Sequence, residues 1–189
     1  MRRRLILVRH AQPAIDPETP ARTWRLTPAG RAAALEIGRR LSTRRPGACY
    51  SSPEPRAAET ASAIASVLGL AVVPVEGLHE HRRERVPFFP DPADFRAAVF
   101  RVFDEPADRV FGEESADEAR TRFSVTLDDV MAATDAEVVV AVTHGTVLTL
   151  WVADRTGMDP RELWSSLGFG ARVMVEWETG RLLELEPGG

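Results

Sequence analysis

The chain contains no lysine and no asparagine, and all 24 of its basic residues are arginine. Base-composition bias in the genome is the simplest cause of this pattern, but the absence of lysine has a chemical consequence. Schiff-base catalysis needs a lysine amine, and so does the lysine-dependent phosphate-binding loop. Both mechanism classes are therefore excluded for this chain.

Cysteine and long apolar runs are scarce as well. Cys49 is the only cysteine, which excludes an internal disulfide and a cysteine-rich metal site and fits a reducing cytoplasm. The apolar run Leu5–Val8 is shorter than the roughly 7 to 15 residues of an export segment. No stretch approaches the roughly 20 apolar residues of a membrane span. We expect a cytoplasmic protein with no membrane partner.

Length and charge narrow the class further. A chain of 189 residues that is 44% hydrophobic is long enough for one well-buried domain and short for two. We therefore expect a single domain over residues 1–189. The net charge of −4 and the pI near 5.6 argue against nucleic acid or an anionic membrane as the main partner. The sequence leaves the oligomeric state open, and a homodimer is compatible with it.

Short apolar strands alternate with alanine-rich helices along the chain. Thr27 before Pro28 is a typical helix start, and Gly69 is a typical helix end. The predicted strands cover 5–8, 48–52, 71–75, 138–143, 172–178 and 181–186, and the predicted helices cover 28–41, 53–68, 92–103, 113–134 and 146–156. This alternation predicts an α/β fold with three α/β/α layers, a mostly parallel central sheet and an antiparallel edge strand.

A segment rich in arginine, proline and phenylalanine spans about 81–112, and we expect it to be a variable cap or insert that determines specificity. Within it, Phe95, Val99 and Phe103 follow helical spacing and are predicted to be core residues. The arginines at 82, 83 and 85 could draw an acidic substrate inward, but a solvated cluster is an equally good interpretation.

Two of the predicted strands end in histidine. The first delivers Arg9 and His10, and the strand 138–143 delivers His144. In a parallel sheet the carboxyl ends of the strands form one rim, where ligands bind. Arg56 follows a third strand at the same rim. Two guanidiniums and two imidazoles at one rim suit a phosphoryl group, whose oxygens pair with arginine in a bidentate manner.

The ordered motifs along the chain resemble those of the histidine phosphatase superfamily, branch 1, also called phosphoglycerate mutase-like. The matching segments are Arg9-His10-Ala11, Leu26 to Gly30, Ser51 to Ala61, Leu78-His79-Glu80, Gly112 to Ser115, and Val142-Thr143-His144-Gly145. Each motif alone is weak, but the set covers nearly the whole chain in the right order. The Leu78–Glu80 match favours Glu80 over Glu76 and Glu84, which lie within a few residues of it.

The resemblance implies a covalent phosphoenzyme. His10 would attack phosphorus through a neutral ring nitrogen, with its other nitrogen protonated against a backbone carbonyl. Arg9, Arg56 and His144 would bind the phosphoryl oxygens, and Glu80 would be the general acid and then the general base. No metal and no cofactor is needed, because the arginines and His144 supply the positive field. Outside this pattern, His10 on its own could be a structural residue at a strand end.

Several residues near the motifs carry weaker expectations. His79 and His81, which flank Glu80, are expected to be rim or surface residues. Gly145 is expected to allow close backbone approach to a ligand. Ala11 stands where the family has glycine, a change that is tolerated if its φ is negative. No role is assigned to Gln12.

Departures from the family pattern favour one activity over another. The chain lacks the asparagine and the tyrosine-bearing substrate segment of the mutases, because Tyr50 is its only tyrosine. We therefore expect a metal-independent phosphomonoesterase that acts on a small-molecule phosphomonoester. The alternatives are a protein phosphohistidine phosphatase, a phosphoglycerate mutase-type phosphotransferase, or a catalytically silent module that binds a phospholigand.

Overall fold

The computed structural model describes residues 2–189 and contains one six-stranded sheet in the order β3-β2-β4-β1-β5-β6. Its strands are β1 (Arg4–Arg9), β2 (Ala48–Ser51), β3 (Val72–Pro74), β4 (Val138–Thr143), β5 (Arg172–Glu176) and β6 (Leu182–Glu186). Strands β1, β4, β2 and β3 are paired in parallel, whereas β5 pairs antiparallel with both β1 and β6. The predicted mostly parallel sheet with an antiparallel edge is confirmed.

Within residues 2–189, six α-helices cover the two faces of this sheet. They are α1 (Pro28–Leu41), α2 (Pro55–Leu68), α3 (Pro92–Asp104), α4 (Ala116–Ala132), α5 (Gly145–Thr156) and α6 (Pro160–Ser166). Helices α1 and α2 pack on one face through side chains such as Ile37 and Ile64, and this core includes Ile6 and Val8 of β1. The other face, with Leu5 and Leu7, packs against residues of α3 to α6. The three-layer α/β/α prediction is therefore confirmed.

The helix starts follow the local chemistry of the sequence. Thr27 accepts a hydrogen bond from the backbone N–H of Gly30 at 2.9 Å, and Pro28 occupies the first turn of α1, as predicted. A side chain at Gly30 would collide with the backbone oxygen of Gln12. This contact fixes the chain that leaves the site end of β1 against the start of α1.

Some boundaries differ from the prediction. Helix α4 begins at Ala116 rather than 113, because Ser115 caps it in a reciprocal capping box with Glu118. Helix α6 was not predicted, although Asp159 caps it and Pro160 opens it. Val99 is fully buried, while Phe95 and Phe103 are partly buried against the same core. Within residues 2–189, none of the helices is long and apolar enough to cross a membrane.

Candidate active site

Three neighbouring strand ends bring the predicted site residues together. The backbone N–H of His10 after β1 donates to Thr143 O at 2.9 Å, and that of Ser52 after β2 donates to Val142 O at 2.9 Å. Both bonds extend the parallel pairing beyond the last strand residues. As a result the His10 and His144 rings lie 5.3 Å apart, centroid to centroid, at an interplanar angle of 61°.

Two opposite hydrogen bonds define the orientation of the His10 ring. Its Nδ1 lies 2.8 Å from Ala11 O, and its Nε2 lies 3.1 Å from Arg56 Nε, which is a donor. A carbonyl requires a proton on Nδ1, and the guanidinium N–H requires a lone pair on Nε2. Burial, followed by repulsion from Arg56, holds the pKa of His10 well below its usual value. His10 is therefore neutral at neutral pH, with the free lone pair on Nε2.

Arg56 lies in the first turn of α2 and is buried beside His10. Its Nη2 forms an ion pair with Glu54 Oε2 at 2.6 Å, and its Nη1 donates to Ala21 O. Burial lowers the pKa of Arg56, and the charge of Glu54 opposes that shift. The guanidinium is thus held at both ends, with its Nε aimed at the His10 ring.

His144 is fully buried and precedes α5. Its Nε2 lies 2.9 Å from Ser52 Oγ and 3.6 Å from Glu54 Oε1. Burial and then the charge of Arg56 hold the pKa of His144 well below its usual value. The two imidazoles are therefore both neutral in the free protein, so the positive charge of the site resides on arginine.

Arg9 is the last residue of β1, and its backbone N–H donates to Ala171 O at 2.9 Å, one residue before β5. Its Nη1 donates to Leu167 O, and its Cζ lies 4.7 Å from the ring centroid of Phe169. A Cβ on Gly145 would come within 3.2 Å of Arg9 Cζ. Gly145 is expected to leave space for a ligand, whereas in the structure its missing side chain makes room for Arg9. Burial lowers the pKa of Arg9 to about 10, so it remains charged.

Phe169 contacts both residues of the Arg9-His10 pair. Its ring centroid lies 5.6 Å from that of His10, and the following residue, Gly170, donates its N–H to His10 O at 3.1 Å. The segment around Phe169 therefore contacts both the ring and the backbone of His10, the candidate nucleophile. Sequence reasoning missed Phe169, because it lies far along the chain in an irregular segment without a motif.

Glu80 is buried at the N-terminus of α5. Its Oε1 accepts the N–H groups of His81 at 2.9 Å and Val147 at 3.2 Å, and its Oε2 accepts that of Thr146 at 3.2 Å. The first N–H groups of a helix lack partners within the helix, and the helix dipole favours negative charge there. The carboxylate of Glu80 is therefore held firmly beside His144, which caps the same helix.

The protonation of Glu80 follows from this environment. Burial alone would raise its pKa, but the Arg83 guanidinium and the backbone N–H groups of His81 and Thr146 outweigh burial and lower the pKa to about 2. Glu80 is therefore a carboxylate in the free protein throughout the physiological range. Since its folded pKa is lowered, it stabilises the fold above its ordinary pKa, and this contribution is lost as the pH falls towards 2.

A partly buried ion pair that involves α4 fixes the loop that carries Glu80. Arg122 of α4 forms a two-pronged ion pair with Glu114, with both N–O distances at 2.9 Å. Arg122 Nη1 also donates to Gly77 O at 2.7 Å and to His79 O at 3.1 Å. These contacts pull the loop inward. The expectation that His79 and His81 are rim or surface residues is wrong: they are only 8% and 2% exposed.

The structure thus brings His10, Arg9, Arg56, His144 and Glu80 into one cluster at the rim of the sheet. It adds Ser52, Glu54 and Arg83, to which sequence reasoning gave no catalytic role, although all three stand within or beside the quoted motifs. Within residues 2–189, no group of three or more His, Cys, Asp or Glu side chains is arranged to hold a metal ion. The cluster can bind an oxyanion through guanidinium and imidazole N–H groups.

The sequence matches the histidine phosphatase superfamily (branch 1) over residues 5–183. This match covers nearly the whole chain, and the protein belongs to that superfamily. No curated protein is significantly similar to this sequence.

Solved structures share the fold at low sequence identity. A protein described as mycobacterial hydrolase 1 is 21% identical with a TM-score of 0.79, and the alignment covers 100% of both chains. A mycobacterial glucosyl-3-phosphoglycerate phosphatase is 20% identical with a TM-score of 0.77, again over 100% of both chains. A phosphoserine phosphatase variant from Entamoeba histolytica, solved with phosphoserine, is 20% identical with a TM-score of 0.74 over 96% of this chain and 95% of the other. At these identities the likeness establishes the phosphoglycerate mutase-like fold alone.

Proposed function

We propose that the protein is a metal-independent phosphomonoesterase that hydrolyses a small-molecule phosphomonoester through a phosphohistidine on His10. This proposal rests on the tautomer of the His10 ring, that is, on which of its two nitrogens carries the proton. Its Nδ1 faces the carbonyl of Ala11, and its Nε2 keeps a lone pair that faces Arg56. An imidazole that is buried, neutral and held in this tautomer is prepared for attack on phosphorus.

The first half of the reaction transfers the phosphoryl group to His10. Arg56 gives up its hydrogen bond to Nε2 and donates to a phosphoryl oxygen, with Arg9 and His144 as further ligands of the oxygens. His10 Nε2 forms a bond to phosphorus while the bond to the ester oxygen breaks, and Glu80 donates a proton to that oxygen. Guanidiniums that are already in place stabilise the charge that develops, without reorganisation.

The second half of the reaction releases phosphate. A water molecule attacks phosphorus, the N–P bond breaks, and Glu80, now a carboxylate, takes the proton from the water. The lone pair returns to His10 Nε2, so the enzyme ends in its starting protonation state once inorganic phosphate leaves with that proton. Each Glu80 role needs the carboxyl group close to the ester oxygen, which is consistent with its fixed position beside His144.

The proton for the leaving group needs a source, because the pKa of Glu80 is about 2 in the free protein. A phosphomonoester has a second ionisation near pH 6 and still carries one proton below that value. We therefore propose that the substrate monoanion brings the proton. Transfer to Glu80 is favoured on binding because the phosphoryl oxygens add negative charge beside the carboxylate and compete for Arg56.

A direct assay tests the proposed activity. Purified protein is incubated with a panel of aryl and alkyl phosphomonoesters in the presence of a chelator, and released inorganic phosphate is measured. Turnover that is unaffected by the chelator supports the proposal. Activity that the chelator removes would contradict a metal-independent mechanism. If phosphate binds but no monoester is hydrolysed, the chain is a phospholigand-binding module instead.

The pH dependence of kcat/KM is a first prediction. Burial holds the pKa values of His10 and His144 well below 6.5, and the pKa of Glu80 is about 2, so none of them should change charge above about pH 6.5. The titrating partner in this range is the substrate. We expect kcat/KM for an alkyl phosphomonoester to fall about tenfold per pH unit above about 7. A profile that rises from pH 5 to 7 would show that the nucleophile must first lose a proton.

We also propose a cytoplasmic site of action, with no nucleic-acid or membrane partner. The single cysteine supports this proposal: Cys49 is free and buried in β2, and burial raises its pKa to about 11. A protonated, buried thiol is stable in a reducing compartment.

A further inference from the structure

Arg83 is a third arginine at the site, and the mechanism above does not use it. Its Nη2 lies 3.7 Å from Glu80 Oε2, and its Nη1 lies 3.4 Å from Thr146 Oγ1 at the start of α5. The Arg83 side chain is 18% exposed, against 9% for Glu80. Arg83 therefore reaches the carboxylate that would serve the leaving group, and part of it remains open to an incoming molecule.

Two aromatic rings, of Phe95 and Phe111, pack against the Arg83 guanidinium. Arg83 Cζ lies 5.2 Å from the ring centroid of Phe95 and 5.6 Å from that of Phe111, and these two rings pack at 70° with their centroids 5.9 Å apart. Both distances are within the range of cation–π attraction. A guanidinium whose face rests on rings keeps its N–H edge for a planar anion. The position of Arg83 is thus built by α3 and by the segment before α4.

The charge of Arg83 acts on the other site residues. Burial is the largest cause of the lowered pKa of Arg9 and of Arg56, and repulsion from Arg83 lowers both further. The pKa of His144 is also lowered by Arg83, after burial and the interactions with Arg56 and His10. A guanidinium directed into bulk water would be screened from these groups. Arg83 therefore contributes to the positive field within the same cluster.

We propose that Arg83 binds a carboxylate on the leaving group, so that the preferred substrate is a small phosphomonoester with a carboxylate close to its ester oxygen. This inference rests on the proposed phosphatase function and names its substrate class. Glu80 would protonate the ester oxygen, and Arg83, 3.7 Å from Glu80, lies on that side of the reaction. The exposed Arg82 and Arg85 have no such contacts.

The charges of the site favour a carboxylate there. Three guanidiniums, of Arg9, Arg56 and Arg83, face two carboxylates, of Glu54 and Glu80. When Glu80 takes up the substrate proton, Arg83 loses the charge of its partner. A substrate carboxylate would replace that charge, because guanidinium and carboxylate form paired, charge-assisted hydrogen bonds. A neutral leaving group would leave Arg83 unpaired in a partly buried place, which is unfavourable.

A pair of substrates that differ by one carboxylate tests the proposal. The kcat/KM values for O-phosphoserine and O-phosphoethanolamine are compared in the wild type, in Arg83→Gln and in the control Arg82→Gln, which changes the exposed neighbour. We expect the wild type and Arg82→Gln to favour phosphoserine by roughly 10- to 100-fold, the usual range for one charge-assisted contact. In Arg83→Gln this preference should fall to nearly one, and Arg83→Lys should restore part of it.

The outcomes separate this inference from the proposed function. The ratio of the two substrates is measured on one preparation, so partial unfolding of a variant and any common effect through Glu80 cancel. If the wild type hydrolyses both substrates and the ratio is the same in Arg83→Gln, the inference is wrong and the phosphatase function stands. If the wild type hydrolyses neither of them nor any aryl phosphate, the proposed function fails, and the inference fails with it.

Discussion

Replacing His10 with alanine is expected to lower kcat/KM for every phosphomonoester by at least about 10,000-fold, the scale on which removal of a catalytic nucleophile acts. The imidazole Nε2 is the atom that would form the bond to phosphorus, and no second group in the cluster can take its place. His144 Nε2 is already bonded to Ser52 at 2.9 Å, and the Glu80 carboxylate is bound by three backbone N–H groups. Rapid quench with a labelled substrate should detect an acid-labile phosphoenzyme in the wild type and none in His10→Ala.

Phosphate binding separates loss of chemistry from loss of structure in this variant. Arg9, Arg56 and His144 remain in His10→Ala, and Arg56 is released from its bond to His10 Nε2. The variant should therefore bind inorganic phosphate within about tenfold of the wild type by calorimetry, since one neutral contact is lost. Normal phosphate binding with undiminished turnover would remove His10 as the nucleophile. Loss of both binding and turnover, with a lowered Tm, would indicate a collapsed site.

The strand ends show what could be predicted about the site from sequence. The apolar runs before Arg9 and before His144 predicted buried parallel strands, and parallel strands place their carboxyl ends on one rim. That rule, with the helix start before Arg56, was enough to bring two histidines and two arginines together. The rule gives the shared rim but not the strand order: β4 lies between β1 and β2 and pairs with both, which makes the three strand ends adjacent.

Contacts made across long sequence separations could not be predicted in this way. Arg82, Arg83 and Arg85 look alike in the sequence, but Arg83 alone of the three packs against Phe95 and Phe111 and lies beside Glu80. The polar segment around Glu80 looked like a solvated face. It is buried because Arg122 on α4, far along the chain, donates to its backbone carbonyls.

Gly145 illustrates a correct signal with an incomplete explanation. A glycine directly after a strand-end histidine predicts space for a ligand to approach the backbone, and the structure contains a space there. The neighbour, however, is the Arg9 guanidinium of the protein itself. A glycine in the sequence indicates that a neighbouring group can come close to the backbone, but only the tertiary structure shows which group it is.

The carboxylate of Glu80 has a structural role that could account for its burial without any part in catalysis. It satisfies the N–H groups of Thr146 and Val147 in the first turn of α5, as a helix-capping acid does. Capping and proton donation predict different kinetics when Glu80 is replaced with glutamine. Glutamine keeps the size of the side chain and one acceptor oxygen, but it cannot deliver a proton, and its amide would face the N–H groups near Oε2.

We expect Glu80→Gln to lower kcat by roughly 100- to 10,000-fold for alkyl phosphomonoesters, the usual contribution of general acid catalysis. For aryl phosphomonoesters the loss should be much smaller, because a phenolate leaves without protonation. The measurement is the dependence of log kcat on the pKa of the leaving group, which should be steeper in Glu80→Gln than in the wild type. Glu76→Gln and Glu84→Gln are the matched controls, since both side chains are exposed, and their slopes should equal that of the wild type.

The slope distinguishes the two roles even if the variant is less stable. A smaller folded fraction lowers every rate by the same factor and leaves the slope unchanged, whereas loss of the proton donor affects each substrate according to the basicity of its leaving group. Equal losses for aryl and alkyl substrates would therefore leave Glu80 as a helix cap and assign the proton to another group. A steeper slope in Glu84→Gln instead would identify that carboxylate as the acid, although its side chain is 54% exposed and lies 3.6 Å from Arg22.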